Sequence, residues 1–237
     1  MIIYGKNPIA EAIRKGDTIN KLYVENGLMD NSSREIIFLA KSNGVFVNFA
    51  DKRKLNELCG TEKHQGFVAL CVEFEYTDFN KMLEQAGENS IILILDGIED
   101  PHNLGAILRT AEAIGVHGVV IPLHRACAVN DTVLKTSAGA VNNIKVSRVT
   151  NLSQSIQKIK SAGFWVYGLE ADGKDILKQK GLSGKIALVA GSEGFGISQQ
   201  IKKSCDEILS LPMFGKVNSL NVSVATGVAL YLILKQN

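Results

Sequence analysis

"IILILDGIEDPHNLGAILRTAEAIGV", residues 91–116, decides the reading of this chain. Ile91 to Leu95 are all apolar, the mark of a strand buried on both faces, as in a parallel sheet. An acidic, proline-containing loop follows, and a helical pattern occupies 103–114. Asn103, Gly105 and Arg109 lie within seven residues at the helix start. Ligands of open parallel sheets bind beyond the carboxyl ends of strands, where this polar cluster falls. Taken alone, Gly105 also suits close helix packing, and Arg109 a solvated helix face.

Two other stretches repeat the arrangement. "LVAGSEGFGIS", 188–198, follows an apolar strand and holds Gly191, Glu193, Gly194 and Gly196. "LPMFGKVNSLNVSVATGVALYLI", 211–233, follows another and holds Pro212, Ser219, Leu220, Asn221 and Ser223. Turn punctuation explains the glycines locally, and helix capping explains Ser219 and Asn221. A dinucleotide site fits poorly. The glycine order is not GxGxxG, and no acidic ribose ligand lies about twenty residues on in a strand pattern. If one sheet collects the three loops on one edge, they converge on one site.

The bulk numbers narrow the class. The 237 residues suit one large or two small domains, and 46% hydrophobic with 21% charged residues suits a packed core. A formal net charge of +2 excludes holding nucleic acid by bulk charge, so any RNA site is local. Cys59, Cys71, Cys127 and Cys205 form no CxxC pair and read as reduced cysteines of a cytoplasmic protein, with no metal site. His102, His117 and His124 lack metal-ligand spacing. There is no signal-peptide pattern at the N-terminus and no apolar run of membrane-spanning length.

Alternation along the chain predicts α/β architecture throughout. "YGKNPIAEAIRKG" reads as a helix with Asn7 as cap, Pro8 at the first position and Gly16 as stop. "INKLYV" reads as a strand, "NSSREIIFLAKSNG" as a helix, "VFVNF" as a strand, "DKRKLNELCG" as a short helix and "GFVALCVEF" as a strand. Residues 1–75 thus form a small module. Residues 76–90 are polar and read as a linker, and 91–237 form a second domain. Its strands are expected at 91–95, 118–122, 164–169, 186–190 and 207–211. Its helices are expected at 103–114, 131–139, 151–162, 198–204 and 219–235.

In this order and spacing, "NLGAILR", "GSEGFGIS" and "LPMFGKVNSLNVSVA" resemble the three motifs of the SpoU (TrmH) family of RNA ribose 2′-O-methyltransferases. Through "IYGKNPIAEAI" and "KHQGFVAL", the first 75 residues are similar to the L30e-like substrate-binding domain that precedes this fold. The resemblance implies a SPOUT-like, trefoil-knotted parallel-sheet methyltransferase domain acting as a homodimer. It implies S-adenosyl-L-methionine as cofactor, contacted at Gly191, Leu211 and Leu220, with Leu169, Glu170 and Ala171 on the methionine side. A ribose 2′-hydroxyl attacks the donor methyl. The resemblance places Arg109 at this centre, with Asn103, Glu193, Ser219 and Asn221 around it. Two accounts of Arg109 stay open. It acts as the base, against a guanidinium pKa above about 12, or it clamps phosphate and stabilises developing charge. In either, Glu193 is expected to face and orient it.

The resemblance is nearest the subgroup that methylates a guanosine ribose in large-subunit ribosomal RNA. A tRNA target and an inactive RNA-binding protein are the alternatives, with a nicotinamide oxidoreductase further off. Residues 1–76 carry ten Lys/Arg and ten Asp/Glu, so only local groups are RNA candidates: Arg53 with its neighbours Lys52 and Lys54, and Lys63, His64 and Gln65. The last helix is apolar on most sides, more than one buried face requires, and is expected in a dimer interface.

Overall fold

The computed structural model describes residues 1–15, 19–28, 30–71, 74–216 and 219–237. Two compact units emerge: residues 1–75 with 127–131, and residues 76–126 with 132–237.

The first unit holds β1 (Ile2–Tyr4), α1 (Lys6–Lys15), β2 (Ile19–Glu25), α2 (Asn31–Ser42), β3 (Phe46–Ala50), α3 (Lys52–Cys59) and β4 (Phe67–Cys71). The sheet order is β1-β4-β2-β3, with β2 and β3 parallel and β4 antiparallel to both its neighbours. Alternate strand residues Leu22, Val24, Phe67 and Ala69 face Ile9, Ile13, Ile36 and Ala40, and these form the core. Asp30 caps α2, accepting from Ser33 N at 3.0 Å and from Lys6 Nζ at 2.9 Å. The Ser33 hydroxyl donates to it as well, at 2.7 Å, and these three donors, the hydroxyl foremost, hold its carboxyl well below the usual carboxylate range. Asp51 caps α3 in the same way. One expectation is corrected here: α1 starts at Lys6, so Asn7 lies inside it and is not the cap. Gly16, read as the stop, lies outside the described residues.

The second unit adds α4 (Phe79–Glu84), β5 (Ile91–Asp96), α5 (Pro101–Ile114), β6 (Gly118–Pro122), α6 (Asp131–Thr136), β7 (Val146–Val149), α7 (Leu152–Ser161), β8 (Trp165–Asp175), β9 (Ile186–Gly191), α8 (Gln199–Ser204), β10 (Glu207–Ser210) and α9 (Val222–Leu234). Its six-stranded sheet runs β10-β8-β9-β5-β6-β7, and every neighbouring pair is parallel. The stretch read as a linker belongs to this unit. Met82 of α4 is fully buried beside Ile92, Ile94, Ile156 and Ile159. An apolar residue that reaches a core cannot serve in a free tether, which corrects that expectation.

The strand order explains where a site forms. β5 and β9 are adjacent, yet the chain leaves β5 towards β6 and leaves β9 towards β10. Their connections diverge, and such a switch point opens a crevice at the carboxyl ends of the strands. Two of the three motif loops, 96–100 and 191–198, border this crevice. The third, 211–221, follows β10 and leads into α9, which packs against α5.

Candidate active site

α5 begins after Asp100, whose carboxylate accepts from the backbone N–H of His102 and of Asn103, each at 3.2 Å. With Pro101 in the first turn, this capping fixes where Asn103 points. Asn103 is 9% exposed. Its Nδ2 donates to Glu193 Oε2 at 3.1 Å, and its Oδ1 accepts from Asn221 Nδ2 at 2.9 Å. Asn221 caps α9, its Oδ1 accepting from Ser223 N at 2.9 Å and Ser223 Oγ at 2.6 Å. The chemistry of the ends fixes both amide orientations. A carboxylate only accepts and a backbone N–H only donates, so the donors run one way from Asn221 through Asn103 to Glu193. One side chain from each motif loop enters this chain.

The 191–198 loop is shaped by close approach. Ser192 and Gly196 exchange backbone hydrogen bonds at 3.0 and 2.9 Å, closing the loop on itself. A Cβ on Gly191 would lie 2.0 Å from the carbonyl carbon of Gly196. Only a residue without a side chain admits that return. Two carboxylates hold the far side: Asp96 accepts from Ser198 N at 2.8 Å, and Glu170 accepts from Ile197 N. Glu170 reaches it because β8 breaks register. Ile208 pairs with Gly168 and Leu209 with Lys174, so the residues between leave the β10 ladder. That irregularity carries Leu169, Glu170 and Ala171 to the site.

Two cavities lie on either side of this loop. The larger, about 780 Å³, is lined by Leu169, Glu170, Ala171, Gly191, Glu193, Leu211, Ser219, Leu220 and Asn221, among others. It therefore gathers all six residues expected at the cofactor together with three of the five expected at the reaction centre. No Lys or Arg lines it among the described residues. Lys202, on nearby α8, is bound to Asp172 at 2.8 and 2.9 Å. That hydrogen bond raises the Lys202 pKa and lowers that of Asp172. A diphosphate would meet carboxylates and no cation here, so a dinucleotide fits badly. A compact ligand bearing a sulfonium and an ammonium fits well.

The smaller cavity, about 570 Å³, shares Ser192, Glu193, Gly196 and Val222 with the larger. Asn103 lines it, with Glu99, Asp100, His124 and Arg125.

Other expectations fare differently. Arg109 is exposed, lines neither cavity and makes no hydrogen bond or ion pair among the described residues. Within one chain Glu193 therefore does not meet it; Asn103 is the partner of Glu193 there. Gly105 is buried, and a Cβ there would lie 2.6 Å from Thr136 Cβ, so this glycine serves helix packing. Ser219 is not a cap of α9, a place taken by Asn221.

In the first unit, His64 is 1% exposed. Its Nε2 meets Asn56 Oδ1 at 2.8 Å, and its Nδ1 accepts from Gly66 N at 2.9 Å. With both ring nitrogens occupied inside the fold, it is not presented to RNA, which corrects that expectation. Gln65, with φ 53°, accepts from Lys6 N through Oε1 at 3.1 Å. Lys63 is exposed, as is Arg53, which pairs with Glu57 at 3.2 Å one helical turn on. Among the described residues no three His, Cys, Asp or Glu side chains gather as metal ligands, and no helix is long and apolar enough to cross a membrane.

Comparison with known proteins agrees with this architecture. The model of the SpoU rRNA Methylase family matches residues 90–231. The model of the RNA 2′-O ribose methyltransferase substrate-binding family matches residues 2–77. The chain belongs to the SpoU (TrmH) family of RNA methyltransferases. A Staphylococcus haemolyticus protein named as a TrmH-family tRNA/rRNA methyltransferase is 41% identical over 239 residues, covering 100% of this chain and 96% of its own. A Bacillus subtilis protein named in the same way is 39% identical, covering 99% and 95%. Among solved structures, the SpoU methyltransferase AviRb of Streptomyces viridochromogenes, in complex with AdoMet, shares the fold. Its TM-score is 0.64 and its identity 22%, covering 100% of this chain and 89% of its own. The TrmH/SpoU tRNA-modifying enzyme of A. aeolicus is 28% identical, with a TM-score of 0.57 over 67% of this chain and 80% of its own.

Proposed function

We propose that this chain methylates a ribose 2′-hydroxyl of RNA with S-adenosyl-L-methionine as donor, its target being a guanosine of large-subunit ribosomal RNA. One observation supports the reading above all: the Asn221–Asn103–Glu193 hydrogen-bond chain, which stands between two cavities of ligand size. The donor belongs in the cation-free larger cavity, where backbone and Leu169, Leu211 and Leu220 supply the walls. Once bound, the donor supplies an electrophilic methyl group on a sulfonium. Glu193 and Asn103 hold the acceptor ribose and fix its hydroxyl, while Ser219 and Asn221 order the returning loop. The close return of Gly196 over Gly191 fixes the shape of the wall between the two cavities.

Arg109 stands outside this arrangement in a single chain. It lies on α5, whose neighbouring residue Thr110 packs against Gly227 of α9. Val224, Val228 and Tyr231 make an exposed apolar stripe on α9 at one-turn spacing. A second copy seated on that stripe brings Arg109 to a shared edge, and we propose that the working form is a homodimer in which Arg109 contacts RNA phosphate. Lys63 and Arg53 remain the proposed contacts of the first unit, and the knotted course of the second unit and a cytoplasmic location are parts of the same proposal.

The test is methyl transfer from tritiated S-adenosylmethionine to total RNA of cells lacking the protein, followed by digestion to nucleosides and mass spectrometry. The expected product is 2′-O-methylguanosine from the large ribosomal RNA. A product confined to tRNA moves the substrate within the family. A methyl group on a base, or none on any RNA, overturns ribose methylation.

A further inference from the structure

The smaller cavity suggests how the target base is chosen. The loop after β6 brings Pro122, His124 and Arg125 to it, and the loop after β5 brings Asp96, Gly97, Ile98, Glu99 and Asp100. Most of the charged groups there are occupied. Asp100 caps α5, Asp96 accepts from Ser198 N, and Glu193 accepts from Asn103. Glu99 and Arg125 make no hydrogen bond or ion pair among the described residues. The cavity thus offers one carboxylate and one guanidinium beside the ribose-holding pair Asn103 and Glu193. Arg125 also has a positive φ of 56°, a left-handed backbone that a long side chain adopts at a cost. Its carbonyl lies against Gly97, itself at φ 80°, so the two loops meet through left-handed residues.

Base chemistry decides what fits a free carboxylate and a free guanidinium together. A carboxylate accepts two parallel donors. Guanine alone presents two such donors side by side, N1–H and N2–H₂. Adenine and cytosine each place an acceptor in the ring position, and uracil flanks its one N–H with two carbonyls. A guanidinium fork donates to two adjacent acceptors, which guanine offers at O6 and N7. The cavity volume, about 570 Å³, lies within the range of roughly 300–1,000 Å³ usual for small-molecule sites.

We propose that this cavity holds the base of the target nucleotide and selects guanine, Glu99 accepting from N1–H and N2–H₂ and Arg125 donating to O6 and N7. The inference rests on the ribose-methylation reading and adds the residues that read the base. No bond to the base forms or breaks; the cavity sets orientation and choice.

The test uses the full chain, tritiated S-adenosylmethionine and total RNA from cells lacking the protein. Four chains are compared: wild type, Glu99→Gln, Arg125→Ala and Arg125→Lys. Gln keeps the size of Glu but turns one acceptor into a donor. Lys keeps the charge of Arg and loses the fork. The wild type is expected to yield 2′-O-methylguanosine alone. Each variant is expected to lower kcat/KM about ten- to hundredfold, the worth of one bidentate base contact. Calorimetric affinity for S-adenosylmethionine is expected to stay within about twofold, which shows that each variant is folded. A ribose-methylated pyrimidine or adenosine as the wild-type product overturns base selection and leaves ribose methylation standing. So does wild-type kcat/KM in Glu99→Gln. Full rescue by Arg125→Lys of the loss in Arg125→Ala assigns Arg125 to phosphate and overturns its reading of guanine. Transfer to no ribose at all overturns both proposals together.

Discussion

Asn221 donates to Asn103 at 2.9 Å across a sequence separation of 118 residues. Asn103 passes the connection on to Glu193 at 3.1 Å. The three residues therefore act as one unit, and their substitutions will not add. Asn103→Ala leaves the Glu193 carboxylate and the Asn221 amide without their partner. It is expected to cost about 1–2 kcal/mol of stability, in line with losing two net hydrogen bonds. Asn221→Ala also removes a helix cap, worth about 1 kcal/mol. The double variant should cost less than the sum of the singles, by about 0.5 kcal/mol or more. Urea denaturation of the four chains measures this; strict additivity would show that the contact carries no coupling. Asn103→Asp sets a carboxylate beside Glu193 and should lower methyl transfer more than Asn103→Ala does.

Gly191 makes a stricter demand. Any Cβ there would overlap the backbone of Gly196 and Ile197, at 2.0 and 2.2 Å. The loop must open to admit it, and the loop is a wall of the larger cavity. Gly191→Ala is expected to abolish S-adenosylmethionine binding in calorimetry while circular dichroism still reports a folded chain. Binding at wild-type affinity would mean that the close return of the loop is not needed by the donor.

These two cases show what was legible beforehand. The strands β5, β6 and β9 are readable because each is a short apolar run bounded by turn residues. β7, "VSRV", is not, because Ser147 and Arg148 interrupt the apolar run, although Ser147 is buried with its hydroxyl bonded to Thr77 O at 2.8 Å. β8 runs on to Asp175 through polar residues, held by pairing to β10 that no local pattern announces. In the site, motif resemblance pointed to Asn103, Glu193 and Asn221. The acceptors that shape the loop, Asp96 and Glu170, take backbone partners 102 and 27 residues away and leave no local trace. Glu99 and Arg125 likewise sit in plain loop sequence. His64 misled because a basic, polar local stretch says nothing about which side chain turns inward.

The exposed stripe of α9 gives a test of assembly. Val224, Val228 and Tyr231 are 51, 41 and 58% exposed on a helix that is otherwise packed through Ala229, Leu230 and Ile233. Val228→Glu places a charge at the centre of the stripe. It is expected to give a monomer in light scattering at micromolar concentration and to lower methyl transfer, since Arg109 then has no shared edge. A wild-type chain that is itself monomeric at that concentration would overturn the homodimer.

Cys205 supplies a pH-dependent readout within the second unit. Burial pushes its thiol up to about 11 from the ordinary value of 9.0. The raised value belongs to the folded chain. The neutral thiol's contribution to stability is therefore present below about pH 9 and lost as pH rises through about 11. Iodoacetamide labelling of Cys205, read by peptide mass spectrometry, should stay slow at pH 8–9 in the native chain and become fast in urea. Rapid native labelling at pH 8 would show that the packing of Cys205 beside Gly168 opens readily.

The last prediction concerns Arg109, the expected reaction-centre residue that lines neither cavity in a single chain. Arg109→Ala should abolish methyl transfer while S-adenosylmethionine affinity stays within a few-fold, because the larger cavity does not include this side chain. Arg109→Lys separates the two accounts of its role. If Arg109 clamps phosphate with its planar fork, Lys keeps the charge and loses the geometry. Methyl transfer then falls by roughly 2–4 kcal/mol of transition-state stabilisation, the usual cost of removing a preorganised charge-stabilising donor. The loss should be the same at every pH. If Arg109 is the base, a lysine amine gives up its proton more readily than a guanidinium, and activity should survive in part and climb with pH. Turnover of the Arg109→Lys chain near wild type at pH 10 would overturn the phosphate clamp. A chain that binds donor and RNA yet stays inactive from pH 6 to 10 supports it, and then the proton of the ribose hydroxyl must leave to Glu193 or to water.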